Sequence, residues 1–215
     1  MPVNEREMTE RTDEFARALA EHAPAYQVQL NADVIARLTD YYRLLTAWNA
    51  RLHLVAPCTP AEFATRHVLE SLVALRFIPT GARFIDVGSG GGLPAIPCLI
   101  ARDDLRATLF EAATKKAVFL REALSQLGLR ERAQVRAERF EMSVAPAGEF
   151  VTCRALERFT EMLPRLVAWA APACTPLLFG GPALQEKIER LALPYTAVLL
   201  PETERRLLFV LRLGS

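Results

Sequence analysis

The sequence predicts an α/β fold, a mostly parallel sheet of seven strands with helices on both faces, preceded by a helical N-terminal extension. Three observations support this prediction. Before Gly81, apolar residues recur at the three- and four-residue steps typical of helices. After Gly81, short apolar runs alternate with helical patterns, as in parallel sheets. The last two runs are joined only by residues 201–205, a link that suits an antiparallel hairpin.

The helical extension is expected over residues 1–78 and the sheet-containing part over 79–215, together forming one compact unit. Within the extension, the apolar spacing predicts helices over 9–22, 31–47 and 61–75. Gly128 is placed to end the second helix of the sheet-containing part. The strands are expected near 83–87, 107–111, 133–137, 149–153, 175–179, 195–200 and 206–212, and the helices between them near 93–102, 114–127, 157–170 and 183–192.

The composition is that of an ordinary globular protein. The 215 residues are 51% hydrophobic and 24% charged, with a formal net charge of +1, which neither requires nor excludes a nucleic-acid partner. Because no apolar stretch reaches the roughly 20 residues of a membrane span and the N-terminus is polar, a cytoplasmic protein without membrane contact is expected. The four cysteines are scattered without metal-ligand spacing, which favours reduced thiols and predicts no metal site.

A glycine-rich loop is the most informative motif. An apolar run over 84–87 leads into the glycines of 88–92, and Pro94 follows where the first turn of a helix tolerates a missing N–H. Backbone N–H groups and the helix dipole form a cradle there. Asp86 would repel an anionic dinucleotide but suits the cationic S-adenosylmethionine. Leu93 also stands where the third glycine of a dinucleotide fingerprint belongs.

Charged residues follow the next predicted strand. Glu111 lies about 20 residues beyond the loop, where a carboxylate accepts hydrogen bonds from two ribose hydroxyls. The alternative is a solvated strand-end charge. Lys115 and Lys116 open the following helix, where cations are unfavourable unless a phosphate or Glu111 offsets them. A solvated lysine pair remains the alternative for these two residues.

Further candidates follow the third and fourth strands. Arg136 and Glu138 lie beside the expected adenine pocket. Arg154 is expected to point at the donor or the acceptor, because an arginine at a cleft mouth suits anion or base recognition. An ion pair with a nearby acid is its alternative. His67 shares a helical face with Glu70 and, without further context, is interpreted as a structural histidine.

The motifs occur in an order that resembles the bacterial small-subunit ribosomal RNA guanine-N7 methyltransferases, over roughly residues 40–190. The segment Leu93-Pro94-Ala95-Ile96-Pro97 is the most specific part. The resemblance rests on Trp48-Asn49, Arg66-His67-Val68-Leu69-Glu70-Ser71-Leu72, residues 86–97, Lys115-Lys116 with Phe119, Arg136-Ala137-Glu138 and Cys153-Arg154-Ala155. The resemblance implies a class I methyltransferase fold with an N-terminal helical cap and S-adenosylmethionine as cofactor. It also implies a guanosine in 16S ribosomal RNA of the small subunit as substrate.

The resemblance and the residue patterns together assign the site, and a monomer is expected. The donor would be held by Asp86, Gly88, Ser89, Gly90, Leu93, Pro94, Glu111, Ala112, Ala137, Glu138 and Arg154. The acceptor would be ordered by His67, Arg136 and Arg154, and the RNA backbone would contact Arg66, Lys115 and Lys116. After the fifth strand the family has Lys-Gly, whereas this chain has Gly180-Gly181.

The chemistry fits the residues present. Guanine N7 carries an in-plane lone pair and no proton, so methyl transfer to it needs positioning and electrostatics rather than a general base. No hydrolytic dyad or triad stands out in the sequence. Two alternatives stay open: a methyltransferase that acts on another acceptor, and a non-catalytic relative that binds the donor or RNA.

Overall fold

The computed structural model describes residues 5–170 and 174–213. Its strands are β1 Arg83–Val87, β2 Arg106–Phe110, β3 Ala133–Arg136, β4 Phe150–Arg154, β5 Thr175–Gly180, β6 Tyr195–Leu199 and β7 Leu207–Leu211. They form one seven-stranded sheet in the order β3-β2-β1-β4-β5-β7-β6. All seven predicted strands are confirmed within one residue at each end.

The predicted helices are also present. They are α1 Glu5–His22, α2 Ala32–Leu52, α3 Pro60–Phe77 in several parts, α4 Ala95–Ala101, α5 Thr114–Gln126, α6 Phe159–Ala170 and α7 Pro182–Arg190. Helix α1 begins before the predicted position because its first turn holds acidic residues, which suit the helix dipole but carry no apolar signal. Helix α2 continues to Leu52 and ends at His53, whose φ of 49° is left-handed.

The sheet topology places the ends of several strands together. Strands β1 to β5 run parallel, whereas β7 is antiparallel to both β5 and β6, which confirms the predicted hairpin. Val87 at the end of β1 pairs with Phe110 of β2 on one side and Cys153 of β4 on the other. The order of the strands therefore reverses at β1, and ligands bind outside the carboxyl ends at such a switch point.

Helix α3 is irregular where the sequence predicts a plain helix. Its parts are Pro60–Glu62, a wider π-helical section Phe63–Leu69, Glu70–Leu72, and a tighter 3₁₀ section Val73–Phe77. Thr59 begins it with a capping box, in which its hydroxyl accepts from Glu62 N–H and its own N–H donates to the Glu62 carboxylate. Apolar spacing reports which face is buried and does not resolve a π-turn, so this feature was not predicted.

Two apolar clusters occupy the two faces of the sheet. The first combines side chains of α1 to α5 with one sheet face, and the second combines α6 and α7 with the other face. Helix α2 contacts both α4 and α5. Phe63 lies at the centre of an aromatic group in which its ring centroid is 5.1 Å from Tyr42 and 6.0 Å from Phe15. The helical extension thus shares a core with the sheet.

The helices and the cysteines can be compared with what the composition predicts. Within residues 5–170 and 174–213, no helix has the length and apolarity needed to cross a membrane. The four cysteines are free thiols, as their spacing predicts; Cys58 is half-buried and the other three are buried.

Replacing Phe63 by Ala tests the shared core. Because the ring is 1% exposed and packs on three aromatic side chains, Phe63→Ala should lower the free energy of unfolding by about 3–5 kcal/mol. Urea denaturation followed by circular dichroism measures the change. Val118→Ala on the exposed face of α5 is the control and should change it by less than about 0.5 kcal/mol. Equal effects of the two substitutions would contradict the packing described.

Candidate functional site

The glycine loop joins β1 to α4 at the switch point. Gly88, Gly90 and Gly92 have left-handed φ angles of 71°, 52° and 88°, which residues other than glycine rarely adopt. The N–H groups of Gly88 and Ser89 donate to the carbonyl of Phe110 at 2.9 and 3.0 Å. The loop is therefore pinned to the end of β2 while its outer surface faces a cavity.

Glu111 supplies a carboxylate that is hydrogen-bonded to this loop. It follows β2, is 8% exposed, and lines the cavity. One of its oxygens accepts from the N–H of Gly90 at 2.8 Å, and the other accepts from the N–H of Ala113 at 2.7 Å. These two bonds orient the carboxylate, because each oxygen has a fixed backbone donor.

Asp86 occupies a different place from the one that the sequence analysis expected. It is completely buried on the same sheet face as Phe84, which the helical extension covers, and it does not line the cavity. Its Oδ1 accepts from the hydroxyl of Thr152, its neighbour on β4, at 2.7 Å. Burial raises the pKa of Asp86 to about 7, which outweighs the opposite effect of its hydrogen bonds. Among the described residues its Oδ2 has no partner.

A cavity of about 800 Å³ lies above the carboxyl ends of β1, β2 and β4. That volume suits a nucleoside-sized ligand. Ten residues of the sequence-based assignment line it: His67, Gly88, Ser89, Gly90, Leu93, Glu111, Ala112, Lys116, Glu138 and Arg154.

Six assigned residues lie outside this lining: Arg66, Asp86, Pro94, Lys115, Arg136 and Ala137. The side chain of Arg136 is held outside the lining by two contacts. Its guanidinium lies 5.7 Å from the centroid of the Phe110 ring and 3.7 Å from the Glu138 carboxylate. Pro94 is buried behind the loop at the start of α4. The side chain of Arg66 is half-exposed, 3.9 Å from the carboxylate of Glu62.

Arg154 lines the cavity, yet its guanidinium makes hydrogen bonds to other groups of the protein. It donates to the Glu70 carboxylate at 3.1 Å and to the carbonyls of Arg66 and His67 in the π-helical section. Arg206, which precedes β7, donates to the other oxygen of Glu70 at 2.6 Å. The ion pair that the sequence analysis held as the alternative for Arg154 is therefore present. It joins the end of β4 to the helical extension.

His67 projects from the π-helical section into the cavity lining. Burial, followed by the charges of Arg154 and Arg66, lowers its pKa to about 4. Its Nδ1 is buried and has no hydrogen-bond partner among the residues that the structure describes. The imidazole is therefore neutral near pH 7, and its ring centroid lies 5.1 Å from that of Phe63.

Part of the cavity wall was absent from the sequence-based assignment. Leu54, Val55 and Ala56 contribute to one side, and Phe140, Leu156 and Met162 contribute to the other. Asn49 shapes the first group through two hydrogen bonds with the backbone of Val55, at 3.0 and 3.1 Å. These residues come from loops and element ends, where no apolar period points to a cavity. The neighbouring Trp48-Asn49 pair was the one available signal.

Gly180, where the resembled family has lysine, ends β5 opposite Leu207. It does not line the cavity. A Cβ atom built on Gly180 would lie 2.9 Å from the Cβ of Leu184, a buried residue of α7. A larger side chain at this position therefore requires α7 to repack.

Within the described residues, no group of three or more His, Cys, Asp or Glu side chains could hold a metal ion. The site is instead formed by loop amides, cationic and apolar side chains, and four carboxylates, those of Glu111, Glu138, Glu141 and Glu157.

Solved methyltransferase structures share this fold. The structure matches the mitomycin 7-O-methyltransferase MmcR with a TM-score of 0.57 and 14% identity, over 95% of this chain and 68% of the other. It matches a SAM-dependent O-methyltransferase from Thermotoga maritima with a TM-score of 0.51 and 13% identity, over 80% of this chain and 72% of the other. The fold is that of the class I S-adenosylmethionine-dependent methyltransferases, as the sequence predicts.

Sequence comparison gives the family. Residues 34–192 match the sequence model of the family described as GidB, rRNA small subunit methyltransferase G. The chain is 41% identical over 176 residues to ribosomal RNA small subunit methyltransferase G of Sorangium cellulosum, covering 79% of this chain and 73% of that protein. It is 35% identical over 167 residues to the protein of the same name from Halorhodospira halophila, covering 77% and 78%. The chain therefore belongs to the rRNA small subunit methyltransferase G family of S-adenosylmethionine-dependent methyltransferases.

Proposed function

We propose that this protein transfers the methyl group of S-adenosylmethionine to N7 of a guanosine in 16S ribosomal RNA. The observation that carries this proposal is one cavity lined by the amides of the glycine loop, the Glu111 carboxylate and the neutral imidazole of His67. The names of the curated relatives support the ribosomal substrate.

The donor half of the cavity fits S-adenosylmethionine in shape and charge. Leu156 packs closely against Gly88 and leaves little room for a side chain there, since a Cβ atom built on Gly88 would lie 2.9 Å from Leu156 Cδ1. Glu111 presents a carboxylate suited to two ribose hydroxyls, and Glu138 lines the adjoining wall. Asp86 places a buried acidic group behind the loop, and its Oδ2 has no partner among the residues that the structure describes; a carboxylate there favours a cation over an anion.

The chain's residues would act by positioning. When bound, S-adenosylmethionine supplies a methyl group on a sulfonium, and transfer makes the N7–carbon bond as the sulfur–carbon bond breaks, with no proton to remove. His67 and Arg154, which line the cavity, would face the acceptor; Arg154 bonds the π-helical section and His67 stays neutral. The apolar side chains of Leu156 and Phe140, which line the same cavity, would exclude water from it.

The RNA backbone would meet the cations at the rim. We assign this role to Arg66, Lys115 and Lys116, of which Lys116 also lines the cavity. Arg136 would lie beside the bound nucleotide and not in its pocket. The proposed unit is a monomer of a helical cap (1–78) and a donor-binding part (79–215). Its proposed substrate would place it in the bacterial cytoplasm.

Mapping N7-methylguanosine tests the acceptor. In a strain lacking this gene, we expect 16S RNA to lose one N7-methylguanosine, detected by chemical cleavage at that base. A plasmid copy should restore it, whereas a copy carrying Glu111→Gln should not. Purified protein incubated with labelled donor and subunits from the deletion strain should methylate the same base. Donor binding without transfer would favour a non-catalytic relative, and an unchanged methylation pattern would favour another acceptor.

The Glu111→Gln substitution tests donor binding directly. The substitution removes the charge and places an amide NH₂ opposite a backbone N–H, so the Kd for S-adenosylmethionine should rise about 10- to 100-fold. Isothermal titration calorimetry measures it. Glu122→Gln on α5, whose carboxylate bonds only Gln126 among the described side chains, is the matched control and should leave the Kd unchanged. An E111Q protein that binds within twofold of wild type would rule out the ribose role.

The affinity for the donor should also depend on pH. Asp86 has a pKa of about 7, so it is mostly neutral at pH 6 and mostly a carboxylate at pH 8. Because the carboxylate attracts a cationic donor, affinity should increase with pH by up to about tenfold over this range. Asp86→Asn keeps an acceptor for Thr152 and should abolish that part of the dependence. Identical pH profiles for both proteins would show that Asp86 does not titrate on binding.

A further inference from the structure

One contact connects the helical extension directly to the glycine loop. Tyr41 lies on α2, and its hydroxyl donates to the carbonyl of Gly91 at 2.7 Å. The side chain is completely buried. Burial raises the pKa of Tyr41 far above its ordinary value, so the hydroxyl keeps its proton and serves as a donor at every pH of interest.

The remaining backbone contacts of the loop come from the sheet-containing part. Gly88 and Ser89 donate to Phe110, Gly90 donates to Glu111, and Gly92 donates to Ser89. A loop with three left-handed glycines has many accessible conformations, so each anchor reduces the number available. Tyr41 adds an anchor from a different part of the chain at the middle of the loop.

The same helix also packs against the loop. A Cβ atom built on Gly91 would lie 3.2 Å from Leu45 Cδ1 and 3.6 Å from Leu54 Cβ. Leu45 is one turn beyond Tyr41, and Leu54 belongs to the segment that lines the cavity. Gly91 is thus held by a hydrogen bond and by two apolar contacts, all from the helical extension.

From this geometry we propose that Tyr41 is a positioning residue of the donor site: its hydroxyl holds the Gly91 carbonyl and keeps the glycine loop in the conformation that binds S-adenosylmethionine. The inference rests on the proposed donor and adds a role for the helical extension in binding it. Without the hydroxyl, the buried Gly91 carbonyl would lack this donor, and the loop would move to satisfy it. The apparent affinity scales with the fraction of molecules whose loop is in the binding conformation, so donor binding would weaken.

Comparison of Tyr41→Phe with Tyr42→Phe tests the proposal on the full chain. Both tyrosines are buried neighbours on α2, but the Tyr42 hydroxyl accepts from Arg11 of α1 at 3.2 Å and not from the loop. In titration calorimetry, Y41F should raise the Kd for S-adenosylmethionine about tenfold, whereas Y42F should change it less than twofold. Circular dichroism and the Tm establish that each variant is folded, and a general loss of stability would affect both.

Hydrogen exchange of the loop amides in donor-free protein gives a second readout. Amides of residues 90–93 should exchange faster in Y41F than in wild type or Y42F, because the loop opens more often. Wild-type affinity and exchange rates in folded Y41F would overturn the positioning role while leaving the proposed function intact. Equal weakening by Y41F and Y42F would also overturn it. A wild-type chain that does not bind S-adenosylmethionine would overturn the proposed function and the donor role of Tyr41 with it.

Discussion

A buried carboxylate and the two arginines around it hold the molecule together at its site. Glu70 is 1% exposed on α3, where burial raises the pKa of its carboxyl and the charges of Arg154 and Arg206 act in the opposite direction. Arg154 comes from the end of β4 and Arg206 from the hairpin before β7. Three elements distant in sequence must therefore meet. Because Arg154 also bonds backbone carbonyls of the π-helical section, the same contact decides where His67 lies.

The site is composed of two halves that depend on each other. The sheet supplies the glycine loop and Glu111, whereas the helical extension supplies His67, the segment 54–56 and the tyrosine that bonds the loop. Both halves also share an apolar cluster. The arrangement suits methyl transfer to a nitrogen with a free lone pair, because that chemistry requires two reactants held in line and no group that removes a proton.

Prediction from sequence succeeded for the elements, and several residues assigned to the site line the same cavity. Strand positions and the terminal hairpin follow from apolar runs and turn residues, which are local properties. The position of the glycine loop is a local property too, since a strand, a glycine turn and a helix occur in order, and the loop and Glu111 line the same cavity. Asp86 was assigned to the ligand, yet it points to the face covered by the helical extension. Asp86 lies two residues after Phe84, so the alternation along the strand places both side chains on the same face of the sheet. The sequence does not show which element covers that face.

Short stretches of sequence are enough to predict the fold class, the family and the position of the glycine loop, because periodicity and glycine placement are local. Which acids and bases reach the cavity depends on the tertiary structure. Glu111 reaches it while Asp86 does not, and Arg154 is engaged by Glu70. The π-turn in α3 and the bond from Tyr41 to Gly91 also depend on packing between distant segments. Side-chain direction and burial follow from those contacts, which no single stretch of sequence contains.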